Sequence, residues 1–175
     1  MKLNLGCGLQ KLSGFINVDI DPTVKPDAVF DFTNSFPYQD ETIEEVVAYH
    51  VLEHIPKFNH DRIYKEIYRV LIPGGKFTLS FPEFRTCVEY WLNNYKGKRD
   101  FWEATIYGRQ SSPHDFHVAI MDREMVARKL VRAGFGITYK GTEPVELHNS
   151  VIRAVKMKKF TYQDALKESL RYDSE

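Results

Sequence analysis

Residues 2–8 read Lys2-Leu3-Asn4-Leu5-Gly6-Cys7-Gly8, and eleven positions past Gly8 stands Asp19, within Asn17-Val18-Asp19-Ile20-Asp21. Lys2 to Leu5 alternates as a short strand, and Gly6 and Gly8 lack a Cβ, so the backbone can turn sharply and a ligand can lie against it. In a parallel sheet such a loop sits at the carboxyl ends of the strands, where neighbouring crossovers part and leave a crevice. A second strand over roughly residues 15–20 brings Asp19 or Asp21 to the same rim, and a carboxylate there accepts two hydrogen bonds from the vicinal hydroxyls of a ribose. The plain alternative is a tight turn beside two surface acids. The spacing of glycines and acid favours a nucleoside pocket.

The same residues narrow the nucleoside. A dinucleotide fingerprint needs a third glycine three positions after Gly8 and an acid about twenty residues further on. Lys11 occupies the glycine position and the acid arrives too early, which argues against a nicotinamide-dependent oxidoreductase. No Gly-Lys-Ser/Thr phosphate loop occurs in the chain. A nucleoside without a phosphate chain fits better.

At 175 residues, 43% apolar and 14% aromatic, the chain has the size of one domain and can bury a core without disulfides. Its two cysteines, Cys7 and Cys87, and the lack of an apolar signal segment lead us to expect a reducing, cytoplasmic setting. Lys and Arg number 24 against 24 Asp and Glu, so no global field recruits nucleic acid or anionic lipid. No apolar run approaches membrane-spanning length. The expected partner is a small-molecule substrate, with the chain a monomer or homodimer.

Residues 27–32 read as a third extended segment ending at Asp31 and Phe32. Residues 43–49 follow as a buried parallel strand. After His50-Val51-Leu52-Glu53-His54-Ile55-Pro56, a helix capped by Asn59 or Asp61 carries Ile63, Ile67, Val70 and Leu71 on one face. Pro73-Gly74-Gly75 ends it, and residues 76–81 alternate as a strand, giving the order that builds a parallel sheet. A later helix is capped by Asp122 and ended by Gly134, with two last strands over 142–146 and 151–157. Thr161 with Asp164 forms a capping box for a C-terminal helix over 161–175, with Tyr162, Ala165, Leu166 and Leu170 as its apolar stripe.

Asn4-Leu5-Gly6-Cys7-Gly8, Asn17-Val18-Asp19, Phe36-Pro37-Tyr38, Val51-Leu52-Glu53-His54 and Arg69-Val70-Leu71-Ile72-Pro73-Gly74-Gly75-Lys76 together resemble a class I S-adenosylmethionine-dependent methyltransferase, and more narrowly the small methyltransferase type 11 group. The resemblance implies a Rossmann-like, doubly wound, mostly parallel α/β sheet with an antiparallel last strand, a reduced N-terminus, and a lid-like insertion after the fifth strand. It implies a methyltransferase domain over 1–160 and S-adenosylmethionine as cofactor. Asn4, Gly6, Cys7 and Gly8 would line the methionine end, Asp19 would hold the ribose hydroxyls, and Asp31 and Phe32 would border the adenine, with His50 closing the floor beneath the sulfonium and Leu5 and Ile20 also among the cofactor-binding residues. Leu52, Glu53 and His54 would be mainly structural. Asn4 stands where many family members carry an acid, and the link from Gly8 to Phe15 leaves room for a first helix of only a turn or two.

Residues 83–121 are then the lid and substrate region, rich in Tyr90, Trp91, Tyr95, Phe101, Trp102, Tyr107 and Phe116. Its polarity is concentrated in residues 108–117, which contain His114, Asp115 and His117. A histidine beside a carboxylate could deprotonate a substrate hydroxyl, with His117 the preferred base. A polar loop bonded to its own backbone is an equal alternative. Metal binding by that trio ranks well below both, because three ligands in four residues give poor tetrahedral geometry. The sequence thus predicts methyl transfer to a small molecule, such as a hydroxyl of a sugar or other metabolite. The alternative is a non-catalytic nucleoside-binding accessory protein.

Overall fold

The computed structural model describes residues 1–142 and 148–157. One seven-stranded sheet organises them: β1 (Lys2–Leu5), β2 (Ile16–Asp19), β3 (Ala28–Val29), β4 (Ile43–Tyr49), β5 (Leu71–Pro82), β6 (Phe135–Thr142) and β7 (Asn149–Lys156). Their order is β3-β2-β1-β4-β5-β7-β6. β1 to β5 are mutually parallel, and β7 runs antiparallel between β5 and β6. The chain reverses direction across the sheet at β1 and β4, so the crevice at their carboxyl ends is where an α/β sheet takes its ligand. This is the Rossmann-like arrangement expected from the sequence.

Alternation along the strands sets two unlike faces. Leu3, Leu5, Val46, Ala48, Phe77, Leu79, Ile152 and Ala154 join one buried cluster with Ile63, Tyr64 and Ile67 of α1 (Lys57–Val70) and Val126, Ala127 and Leu130 of α4 (Arg123–Arg132). The opposite row, Asn17-Asn4-Val47-Thr78-Arg153, is mostly polar. A Lys2–Glu45 ion pair of 2.8 Å crosses β1 and β4 on the same side. That polarity accords with the lack, among the described residues, of any α-helix between β1 and β4. The short first helix expected in the Gly8–Phe15 link does not form; ten intervening residues cannot hold a helical crossover, and they fold as turns.

Other boundaries also differ from expectation. α1 begins at Lys57, not after Asn59 or Asp61, because Pro56 sets the entry and buried His60 already lies in the helix. The helix ends at Val70, and Pro73-Gly74-Gly75 bulge within β5, where Ile43 pairs with Leu71 but Glu45 pairs with Lys76. β6 starts at Phe135, directly after Gly134, rather than at Thr142. The expected strand over 142–146 and helix over 161–175 fall almost wholly outside the described residues. Asp122 caps α4 as expected, its Oδ1 accepting from the Met125 N–H at 3.0 Å.

Between β5 and α4 the insertion folds into α2 (Phe84–Leu92) and α3 (Arg99–Tyr107), which pack on each other, followed by an extended run to Met121. Its aromatic residues mostly meet one another: Tyr90 stacks on Tyr95 at 4.4 Å, and both flank Trp102, which is buried against His148. The sequence leads us to expect some of these aromatic residues at a ligand and some in the core, and Tyr90, Tyr95 and Trp102 form the insertion's own small core.

Candidate active site

The Gly-x-Gly turn leaves β1 at Gly6, whose φ is +61°, in the left-handed region that glycine enters without strain. A Cβ there would lie 2.6 Å from Val51 Cγ2, so backbone and Val51 meet only because position 6 has no side chain. At Gly8 (φ +49°) the space beside the Cα is open. The Asp19 carboxylate ties this turn to β2: Oδ2 accepts from Gly8 N at 2.8 Å and Oδ1 from Asp21 N at 3.0 Å. Asp31 folds its own turn, with Oδ1 accepting from the Thr33 N–H and hydroxyl.

Gly6, Asp19, Asp31, Phe32, His50 and His54 are among the residues around a cavity of about 410 Å³ at the carboxyl ends of β1, β2 and β4. Ile20, Val51 and His114 border it too. Asn4 is not on this wall. It is buried, and its Nδ2 donates to Gln10 O and Asn17 Oδ1, both at 3.0 Å, fastening the turn from beneath. Leu5 is in the core, and Cys7 is buried with Sγ 3.5 Å from Gly8 O.

A second cavity of about 200 Å³ lies under the insertion, lined by Pro82, Phe84, Cys87, Thr105, Tyr107, His117 and neighbours. Val118 borders both cavities. Backbone bonds set the wall between them: Val118 N and Ala119 N donate to Glu53 O at 2.8 and 3.1 Å, and His117 N to Tyr107 O at 3.0 Å. Gly108 (φ +81°) permits this crossing, since a Cβ there would overlap the Asp115 carbonyl.

The result juxtaposes three side chains from distant parts of the chain. The His54 and His117 rings meet edge-on at 4.8 Å, and Glu53 joins them, with one ligating atom from each residue within 4.8 Å of the others. Glu53 is 2% exposed, and neither carboxylate oxygen has a hydrogen-bond partner. The His50 ring lies beside it, with Nδ1 3.4 Å from Oε1. Burial holds the His117 imidazole below the usual histidine range, against the pull of Glu53. Of the expected trio, Asp115 is turned to Ser111, whose hydroxyl donates to it at 2.6 Å and keeps the carboxyl low, while His114 is exposed at the mouth of the larger cavity. Sequence reasoning treats Glu53 and His54 as structural and does not foresee that they meet His117. The signal is present as an acid and a histidine inside the otherwise apolar run Val51-Leu52-x-x-Ile55.

A mixed sheet of this order, with a Gly-x-Gly turn on β1, an acid closing β2 and a crevice between β1 and β4, is a Rossmann-like fold shared with solved S-adenosylmethionine-dependent methyltransferases. Residues 3–79, which carry the Gly-x-Gly turn and the Asp19 and Asp31 loops, match the family model described as Methyltransferase domain. Over those residues the chain is similar to methyltransferase domains, a family whose members use S-adenosylmethionine.

Solved structures agree on the fold. An S-adenosylmethionine-dependent methyltransferase from Methanosarcina mazei superposes with a TM-score of 0.70 at 18% identity, over 90% of this chain and 92% of that one. A Haloferax volcanii methyltransferase, solved in complex with the Trm112 methyltransferase activator, gives 0.63 at 12% over 92% and 83%. A Thermotoga maritima S-adenosylmethionine-dependent methyltransferase gives 0.63 at 15% over 89% and 81%. No curated protein matches significantly. No helix among the described residues is long and apolar enough to cross a membrane.

Proposed function

We propose that the protein methylates a hydroxyl-bearing small molecule that enters beneath the 83–121 insertion, with the Glu53–His54–His117 cluster handling the acceptor proton. The observation that supports this reading is the position of the cluster in the wall between two cavities. His54 borders the one that suits the nucleoside, and His117 the smaller, largely apolar one. S-adenosylmethionine supplies a sulfonium methyl already activated for attack, so the protein's task is chiefly to align the acceptor.

The residues on the larger cavity fit such a cofactor. Gly6 lets it approach the backbone, the lone pairs of Asp19 not used by Gly8 and Asp21 can receive ribose hydroxyls, and Phe32 offers a flat apolar wall. In the smaller cavity, Phe84, Cys87 and Met121 offer the acceptor an apolar wall. Bound there, S-adenosylmethionine would supply the methyl group with its sulfur as leaving group, and the proton of the acceptor hydroxyl would be lost at the cluster. His117, facing the acceptor cavity and kept neutral by burial, is the first group to meet that proton.

Two measurements test this. Asp19→Ala is expected to weaken S-adenosylhomocysteine binding in calorimetric titration by about 10- to 100-fold, because it removes the ribose acceptor and frees the Gly8 turn; an affinity within threefold of wild type refutes its role. For the acceptor, methyl-labelled cofactor is incubated with fractionated hydroxyl-bearing metabolites. His117→Ala should then lower the turnover of the labelled product by about 10²- to 10⁴-fold with cofactor affinity unchanged. Labelling of amine or peptide fractions alone would overturn the acceptor class.

A further inference from the structure

We propose that Glu53, His54 and His117 form a binding site for one first-row divalent cation, of the Zn²⁺, Mn²⁺, Fe²⁺ or Co²⁺ type, placed between the two cavities. The geometry stands by itself; the part assigned to the cation in proton loss rests on the methyl-transfer reading above.

Three observations carry it. The ligating atoms of one carboxylate and two imidazoles already lie within 4.8 Å of one another, close enough to share a single ion after small side-chain rotations. Glu53 is nine-tenths buried and more, yet neither carboxylate oxygen is hydrogen-bonded. A buried carboxylate in that state costs several kcal/mol unless a positive charge answers it, and His50, at 3.4 Å and 41% exposed, answers one oxygen only weakly. Third, each histidine has one ring nitrogen engaged by a backbone carbonyl: His54 Nδ1 lies 3.1 Å from Phe116 O, and the His117 ring hydrogen-bonds to the Thr105 carbonyl. Such bonds, with the nitrogen donating, fix the tautomer and leave the other nitrogen's lone pair for a metal, as around histidine ligands generally.

The ligand chemistry selects the ion. Two imidazoles with one carboxylate suit borderline divalent metals and leave coordination positions open, whereas Ca²⁺ and Mg²⁺ prefer all-oxygen sets. An acceptor hydroxyl reaching such an ion from the smaller cavity becomes more acidic, so its proton can pass to solvent before or as the oxygen–methyl bond forms. In that state His117 serves as ligand rather than as free base. The trio adjacent in sequence, His114-Asp115-x-His117, is not the set brought together; Asp115 is spent on Ser111.

The test uses full-length protein stripped with chelator and returned to metal-free buffer. Titration with Zn²⁺, Mn²⁺ or Co²⁺ should show one site per chain, with visible d–d absorption for Co²⁺. Glu53→Gln and His117→Ala should each weaken binding about 100-fold or more. Thermal melting gives a readout free of activity: added metal should raise the wild-type Tm by several degrees and leave Glu53→Gln unmoved. In chelator Glu53→Gln should melt no lower than wild type, since it removes a buried charge without an answering cation. Sub-stoichiometric binding, or binding unchanged in Glu53→Gln, overturns the site. If no metal binds while His117→Ala still loses turnover, the cation is rejected and the methyl-transfer reading stands. If metal binds but no hydroxyl acceptor is found, the reverse holds.

Discussion

Gly6→Ala is expected to weaken cofactor binding on the order of 100-fold, with S-adenosylhomocysteine titration as the measurement. Two costs combine. An alanine held at φ +61° is strained by about 1–2 kcal/mol, and its Cβ would sit 2.6 and 2.9 Å from the two γ-carbons of Val51, which borders the larger cavity. Relief requires either the turn or Val51 to move into the space the nucleoside would use. Together they come to about 3 kcal/mol, which is roughly two decades in affinity. The double variant Gly6→Ala/Val51→Ala separates the costs: it removes both γ-carbons and should recover about tenfold, while the backbone strain persists. Gly8→Ala supplies the contrast, because φ is +49° there but a Cβ would meet nothing within 4 Å, so only the strain should register. Equal losses at positions 6 and 8 would show that close approach to Val51 is irrelevant.

What the sequence made readable was whatever local chemistry decides. The Gly6–Gly8 turn and Asp19 close on each other through one hydrogen bond over eleven residues, and buried strand β4 falls over residues 43–49 as its apolar run requires. The Asp122 cap likewise declares itself within four residues. The obscured features all depend on partners far along the chain. Glu53 and His54 read as ordinary helix-start residues until backbone bonds from Val118 and Ala119 bring His117 onto them. Asn4 reads as a cofactor contact in the Gly-x-Gly motif, but its amide is used by Gln10 and Asn17 to hold the turn. The aromatic insertion reads as part ligand wall and part core, and the sequence does not reveal which residues fall where; Tyr90, Tyr95 and Trp102 meet one another. The start of α1 is hidden in a related way: Asn59 and Asp61 have capping side chains, but the upstream carbonyls of Leu52 and Ile55 are satisfied by His60.

That histidine is the second residue whose replacement should have a large effect, on stability. His60 is 2% exposed, and its Nε2 lies 3.0 Å from Leu52 O and 2.9 Å from Ile55 O, so one N–H is shared by both carbonyls. These are the ends of the turn that presents Glu53 and His54. His60→Leu fills similar space but leaves the Ile55 carbonyl without a donor and Leu52 O with only the Ile55 N–H at 3.1 Å, a loss of about 2 kcal/mol. For a chain of 175 residues that lowers Tm by roughly 5 °C. His60→Gln, whose amide nitrogen can reach the Nε2 position, should recover part of the loss.

The same burial sets a pH signature. It depresses the imidazole's pKa in the folded state, so the unfolded chain binds the extra proton first as the solution is acidified. The associated stability is complete above the ordinary histidine value near pH 6.5 and is lost as pH falls below it toward the folded-state value. Wild-type Tm should therefore decline on acidification below about pH 6.5, and His60→Leu, starting lower, should decline less steeply over that range. Parallel wild-type and variant profiles would show that His60 is not the buried neutral donor that holds the turn, and with it the Glu53–His54 edge of the site, in place.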